Sequence, residues 1–162
     1  MVCQNNHPIS KQKTNKMKKI IIAALFAVSI VSTAFAADAS KVSLKIMDNF
    51  KKQFRNASQV EWTIKEQFTK ADFSVNGIQV EAFFDKEGEL IGTSRHADFN
   101  QLPLTAIEKI KADYPNYQIS STIEFDHKGD RNFYVSLEKG NKKQILTVSL
   151  YGDVNKFEGL GK

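Results

Sequence analysis

The sequence predicts an α+β fold in which two tandem units, each a helix followed by a four-stranded antiparallel sheet, form one compact domain. Three observations carry this reading. The hydrophobic period changes from about four residues to two, and does so twice along the chain. Each alternating run ends in residues that favour tight turns. The landmarks of the first unit also recur in the second: Phe54 and Tyr114 each close a helix, and Gly88 and Gly152 each open a last turn. Two copies of such a unit can share a core without forming a solenoid. The predicted units span about residues 40–98 and 99–162.

The first helix is expected after Ser40 as N-cap, with Val42, Ile46, Phe50 and Phe54 on one stripe over about four turns. In "QVEWTIKE" Val60, Trp62 and Ile64 then alternate with Glu61, Thr63 and Lys65, and in "ADFSV" Ala71, Phe73 and Val75 alternate with Asp72 and Ser74. Asn76-Gly77 is the dipeptide of a two-residue hairpin turn, where both positions take positive φ. "IQVEAFF" sets Ile78, Val80, Ala82 and Phe84 against Gln79, Glu81 and Phe83, and "ELIGTSR" supplies a fourth strand. In the second unit Pro103 suits a first helical residue. Ile107, Ile110 and Tyr114 make the stripe, and Pro115 stops it. Four strands follow, with Ile119, Ser121, Ile123 and Phe125 expected on the core face alongside Phe133, Val135, Leu137, Leu146, Val148 and Leu150.

The N-terminus reads as a secretory leader. Lys16, Lys18 and Lys19 precede the apolar run 20–31 and the small-x-small triplet Ala34-Phe35-Ala36, which is the order of a signal peptide cut before Ala37. The run is short for a membrane span, Met17 is the expected start, and no cysteine follows the cut to carry a lipid. The protein is thus expected to be periplasmic or secreted, with residues 37–162 as the mature domain and no stable membrane anchor. Five of the 23 basic residues and none of the 18 acids precede Ala37, so the mature chain is neutral. It has no electrostatic footprint for nucleic acid. The single cysteine, Cys3, leaves with the leader, and packing alone must stabilise what remains.

Chemistry is sparse. Asp85, Glu87 and Glu89 surround Gly88, but the glycine spacing fails the calcium-loop pattern, and a hairpin turn explains the residues. His96 and His127 lack any metal-ligand spacing, and His127 is expected in a solvated turn. Glu61, Glu81 and Glu124 are read as acids on the solvated side of amphipathic strands. No nucleophile or phosphate motif is present, so no catalytic, cofactor or metal residue is assigned and the chain is not expected to be an enzyme.

Val60-x-Trp62, the Phe84-Asp85-x-x-Gly88 turn, Leu102-Pro103 and Tyr114-Pro115 resemble the PepSY-like, β-lactamase-inhibitor-like periplasmic proteins over roughly Val42 to Phe157. The resemblance implies the same two-unit helix-and-sheet fold and, by analogy of fold alone, a binding or inhibitory role. The outward face should then carry Glu61, Thr63, Lys65, Asp72, Ser74, Gln79 and Glu81, with Thr122, Glu124, Ser136 and Thr147 in the second unit. Phe83, Tyr134 and Ile145 are apolar residues out of phase with their strands and form the candidate protein-binding face. The expected partner is a protein or peptide of the cell envelope. The alternative is a small-ligand carrier or envelope stress protein, and a carrier requires a deep apolar cavity between the units.

Overall fold

Valine, tryptophan and phenylalanine in alternation favour strands, and the structure joins all such runs into one sheet. The structure, a computed structural model, describes residues 19–22 and 39–158. The chain divides into two compact units, Met1–Ser32 with Glu158–Lys162, and Thr33–Phe157. Of the first, residues 19–22 are helical. The expected start at Met17 and the cut before Ala37 lie outside the described residues.

The second unit opens with a 3-10 turn at Ala39–Lys41. Helix α1 (Leu44–Gln53) follows, then strands β1 (Ser58–Ile64), β2 (Thr69–Val75), β3 (Ile78–Phe84) and β4 (Leu90–His96). A 3-10 turn at Phe99–Gln101 leads to helix α2 (Leu104–Asp113) and strands β5 (Gln118–His127), β6 (Asp130–Lys139), β7 (Lys142–Ser149) and β8 (Val154–Lys156). The eight strands form one antiparallel sheet in chain order, β4 pairing with β5 across the middle. The first helix starts later than expected. Ser43, not Ser40, is its N-cap, the Oγ accepting the N–H of Ile46 at 3.3 Å, and ten residues make about three turns rather than four. Pro103 sits one place before the second helix, at its cap.

The two halves share their hydrogen bonds as well as their order. Asp85 N–H donates to Glu89 O and Gly88 N–H to Asp85 O, as Ser149 N–H donates to Asp153 O and Gly152 N–H to Ser149 O. Gly88 and Gly152 take φ of +84° and +93°, a conformation in which a Cβ is disfavoured. Each lies against the first turn of its own half's helix: a Cβ would meet Lys45 at Gly88 and Thr105 at Gly152. Ser58 Oγ donates to Ser74 O and Ser120 Oγ to Ser136 O, each across 16 residues. Asn76-Gly77 forms the expected two-residue turn with both φ positive, and Lys128-Gly129 does the same between β5 and β6.

Both helices pack on one face of the sheet. Val42, Ile46 and Phe50 cover Trp62, Ala71, Phe73, Ala82 and Phe84 in the first half, with the Phe50 ring 5.1 Å from Trp62 and 5.0 Å from Phe73. In the second, Ala106 and Ile110 cover Phe133, Val135, Leu137, Leu146 and Val148.

Strand β5 departs from the expected phase. Ile123 pairs with Tyr134 and Phe125 with Asn132, whereas Thr122 pairs with Val135 and Glu124 with Phe133. Cross-strand partners share a face, so Thr122 and Glu124 point to the helix side and Ile123 and Phe125 to the other. The reason is position. β5 lies mid-sheet, where both faces can bury apolar groups and alternation no longer marks the core. Gly92 on β4 makes the room: a Cβ there would lie 2.7 Å from the Phe125 ring and 2.5 Å from Asp126 O.

Candidate functional site

The face opposite α1 and α2 gathers residues from every strand between β1 and β7. Register places Glu61, Asp72, Glu81 and Ser94 in one row, and Thr63, Lys70, Phe83 and Gly92 in the next. Phe125 lies opposite Ser94. Ile123, Tyr134 and Thr147 make a further row beside Ser136 and Ile145. Phe83, Tyr134 and Ile145 therefore share this face.

Their exposure differs from the expectation. In the full chain Phe83 is 1% exposed and Tyr134 8%, while Ile145 is half-buried. Aromatic neighbours account for much of this: Phe68 stands edge-on to Phe83 at 5.5 Å, Phe125 lies 6.2 Å from it, and Phe157 meets Tyr134 edge-on at 5.6 Å. Side chains of this size fill the surface between rows. The phenol of Tyr134 is pushed up to about 12 by burial, with the charge of Asp130 adding to it.

Beside the aromatics lies a polar ladder. Lys70 Nζ is 2.8 Å from both Asp72 Oδ1 and Glu81 Oε1, and Ser94 Oγ donates to Glu81 Oε2 at 2.6 Å. Burial pushes the Asp72 carboxyl up against the pull of the Lys70 ammonium. Burial alone would lower the Lys70 amine, but hydrogen bonds and charge from Asp72 and Glu81 hold it above its ordinary value. One ammonium shared by two carboxylates makes a half-buried ion-pair network across β2 and β3.

Glu124 does not join Glu61 and Glu81. On the helix side it is buried, and Arg95 Nη2 meets its Oε2 at 2.5 Å while Arg131 Nε meets its Oε1 at 3.0 Å. Arg131 also lies 3.6 Å from Asp126. These groups line a cleft of about 200 Å³ where the halves meet. A small, ion-paired cleft is not the deep apolar cavity that a carrier requires. The sequence reading missed this cluster because it placed Glu124 in solvent. The signal available was Arg95 and Arg131, basic residues in otherwise alternating strands.

The acid turn is the hairpin expected. Asp85 Oδ1 accepts the Glu89 N–H at 2.8 Å, and Asn49 donates to Gly88 O at 2.7 Å. His127 is not free in solvent: it is half-buried at the end of β5, its Nδ1 hydrogen-bonded to Ile91 O. Among the described residues no three His, Cys, Asp or Glu side chains cluster as a metal site, and no helix is long and apolar enough to cross a membrane.

A continuous eight-stranded sheet with α1 and α2 on one side defines a helix-and-sheet scaffold, and among the described residues of Thr33–Phe157 no helix lies on the opposite face. Solved structures share it, and they bear out the inhibitor-like resemblance drawn from the sequence. A BLIP-like protein from Bacteroides fragilis is 25% identical over 71% of this chain and 84% of its own, with a TM-score of 0.62. A DUF2874 family protein from Bacteroides uniformis is 18% identical over 70% and 86%, with a TM-score of 0.63. A Bacteroides eggerthii protein, provisionally described as periplasmic, is 15% identical over 72% and 88%, also at 0.63. No family profile matches the chain, and no curated protein matches it significantly.

Proposed function

We propose that the protein is a non-enzymatic binding module of the cell envelope, exported by a leader removed before Ala37, whose partner is a protein held on the helix-free face. The mature domain is read as two copies of one unit, about 40–98 and 99–162. The observation that carries the proposal is the asymmetry of the sheet: both helices cover one side, and the other holds a buried aromatic row beside the partly exposed Lys70–Asp72–Glu81 ladder. The likeness to a BLIP-like protein supports it, and the provisional periplasmic description of a structural relative supports the compartment. On this reading Ile145 and Ile123 are the accessible apolar contacts, while Phe83 and Tyr134 form the floor that holds them in place. An aromatic floor under a polar rim is the anatomy of a protein interface.

The test is photo-crosslinking in exporting cells. A crosslinking residue at position 145 or 147 should trap a discrete partner, and one at Lys109 on the outer side of α2 should not. Adducts from Lys109 alone would overturn the proposal.

A further inference from the structure

The first half differs from the second where its helix, connection and first strand meet. Ala57 N–H donates to Phe54 O at 3.1 Å just as Tyr117 N–H donates to Tyr114 O, so the two residues occupy one position of the connection. In the second half the ring of Tyr117 fills that position, edge-on to Tyr114 at 5.4 Å and beneath the Lys139 ammonium at 5.8 Å. In the first half a methyl group stands there, and a groove of about 390 Å³ opens. Its floor is apolar, built from Phe50, Phe54, Val60 and Trp62; its rim is basic, Lys51 and Arg55, and no acid lines it. The volume falls within the range of ligand pockets, roughly 300–1,000 Å³.

Along the groove runs β1, the outermost strand, with no strand on its far side among the described residues. Val60 and Ile64 on it are 37% and 43% exposed. Edge strands are usually protected by charge at such positions. We propose that this edge and groove take an extended peptide segment of a partner protein, which pairs with β1, sets a large apolar side chain into the groove and places a carboxylate on Lys51 and Arg55. A peptide is favoured over a fatty amphiphile because β1 is an edge strand among the described residues, and a peptide backbone can add to such an edge where an acyl chain cannot. The site lies apart from the helix-free face and does not rest on that reading.

Trp62, the only tryptophan of the chain, reports on the groove directly. A short peptide of alternating valine and threonine, ending in phenylalanine with a free carboxylate, should change Trp62 emission saturably in the purified protein. Its C-terminal amide should bind about tenfold more weakly, the loss expected for a charge-assisted hydrogen bond. Lys51→Glu with Arg55→Glu should weaken the acid peptide by a similar factor and leave the amide unchanged. Ala57→Tyr should abolish both responses while the melting transition persists. The proposal fails if neither peptide produces a saturable response, or if acid and amide bind alike. It fails equally if laurate outcompetes the peptide, which would mark an amphiphile site, or if sedimentation shows a dimer that Ala57→Tyr dissolves, which would make a second copy the occupant.

Discussion

At the first strand of each half, the same place on the helix-covered face is filled by opposite chemistries. The shared Ser58–Ser74 and Ser120–Ser136 bonds align Val60 with Thr122 and Trp62 with Glu124. Trp62 packs among Phe50 and Phe84 at the edge of the sheet, whereas Glu124 sits mid-sheet under two guanidinium groups. Burial at the edge comes from one helix and its aromatic residues. At the junction the cleft around Glu124 is lined by strand residues, with Arg95 from β4 and Arg131 from β6 on the carboxylate. One backbone plan thus tolerates an indole or an ion pair, provided that each is fully partnered.

The largest way to break this comparison is to remove the indole. Trp62→Ala should cost about 3 to 5 kcal/mol, the range for truncating a buried large aromatic, read from denaturant midpoints; a change near zero would place the core of the first half elsewhere. Next comes the carboxylate. Glu124→Leu leaves Arg95 and Arg131 without their partner and should cost about 1 to 3 kcal/mol, reduced from a fully buried pair because both arginines are partly solvated. Adding Arg95→Met and Arg131→Met should return stability to within about 1 kcal/mol of the parent, since apolar replacements of similar volume often match a buried ion pair. If the triple variant stays as weak as the single one, the cluster is required for more than charge balance.

A smaller effect sharpens the alignment itself. Thr122 Oγ1 is buried with no hydrogen-bond partner, and the first half has valine at that place. Thr122→Val should therefore raise stability by about 1 kcal/mol, the cost of one unpaired buried hydroxyl; a loss would mean that the hydroxyl has a role the first half lacks.

The smallest effect at neutral pH concerns the opposite face, where the same bonds align Asp72 with Tyr134 and burial raises both. The fold favours the neutral phenol. Its contribution is present below pH 10, the ordinary tyrosine value, and is lost as pH climbs towards about 12. Ultraviolet titration should show one of the four tyrosines ionising late. Tyr134→Phe should remove that phase and flatten the alkaline fall in melting temperature.

What could be read from sequence follows from where alternation is honest. β2 and β3, with Trp62 of β1, bury one face under α1, so Trp62, Phe73 and Phe84 announce their side, although Val60 and Ile64 share the phase of Trp62 and stay exposed. The Asn76-Gly77 turn also announces itself, because few residue pairs accept two positive φ values. β5 misleads because it is central: Ile123 and Phe125 look like core residues and do bury, but on the side away from α2. The candidate Phe83 was legible as a residue out of phase with its strand. Its enclosure was not, because Phe68 and Phe125 come from distant positions in the chain. The groove beside Trp62 escaped notice for a related reason, since it is marked by what Ala57 lacks.

The seam between β4 and β5 is short, four facing pairs from Thr93–Asp126 to His96–Ile123. Ala97 N–H on Thr122 O and His127 on Ile91 O extend it at either end. Each half has its own cluster of buried side chains, and the two strand groups meet at this seam and at the Phe83–Phe125 ring contact beside it. Arg95 and Glu124 face each other within the seam, so their ion pair ties β1–β4 to β5–β8 across it. Weakening the seam should then split unfolding into two transitions, with the half carrying Tyr117 in place of an open groove the one to persist.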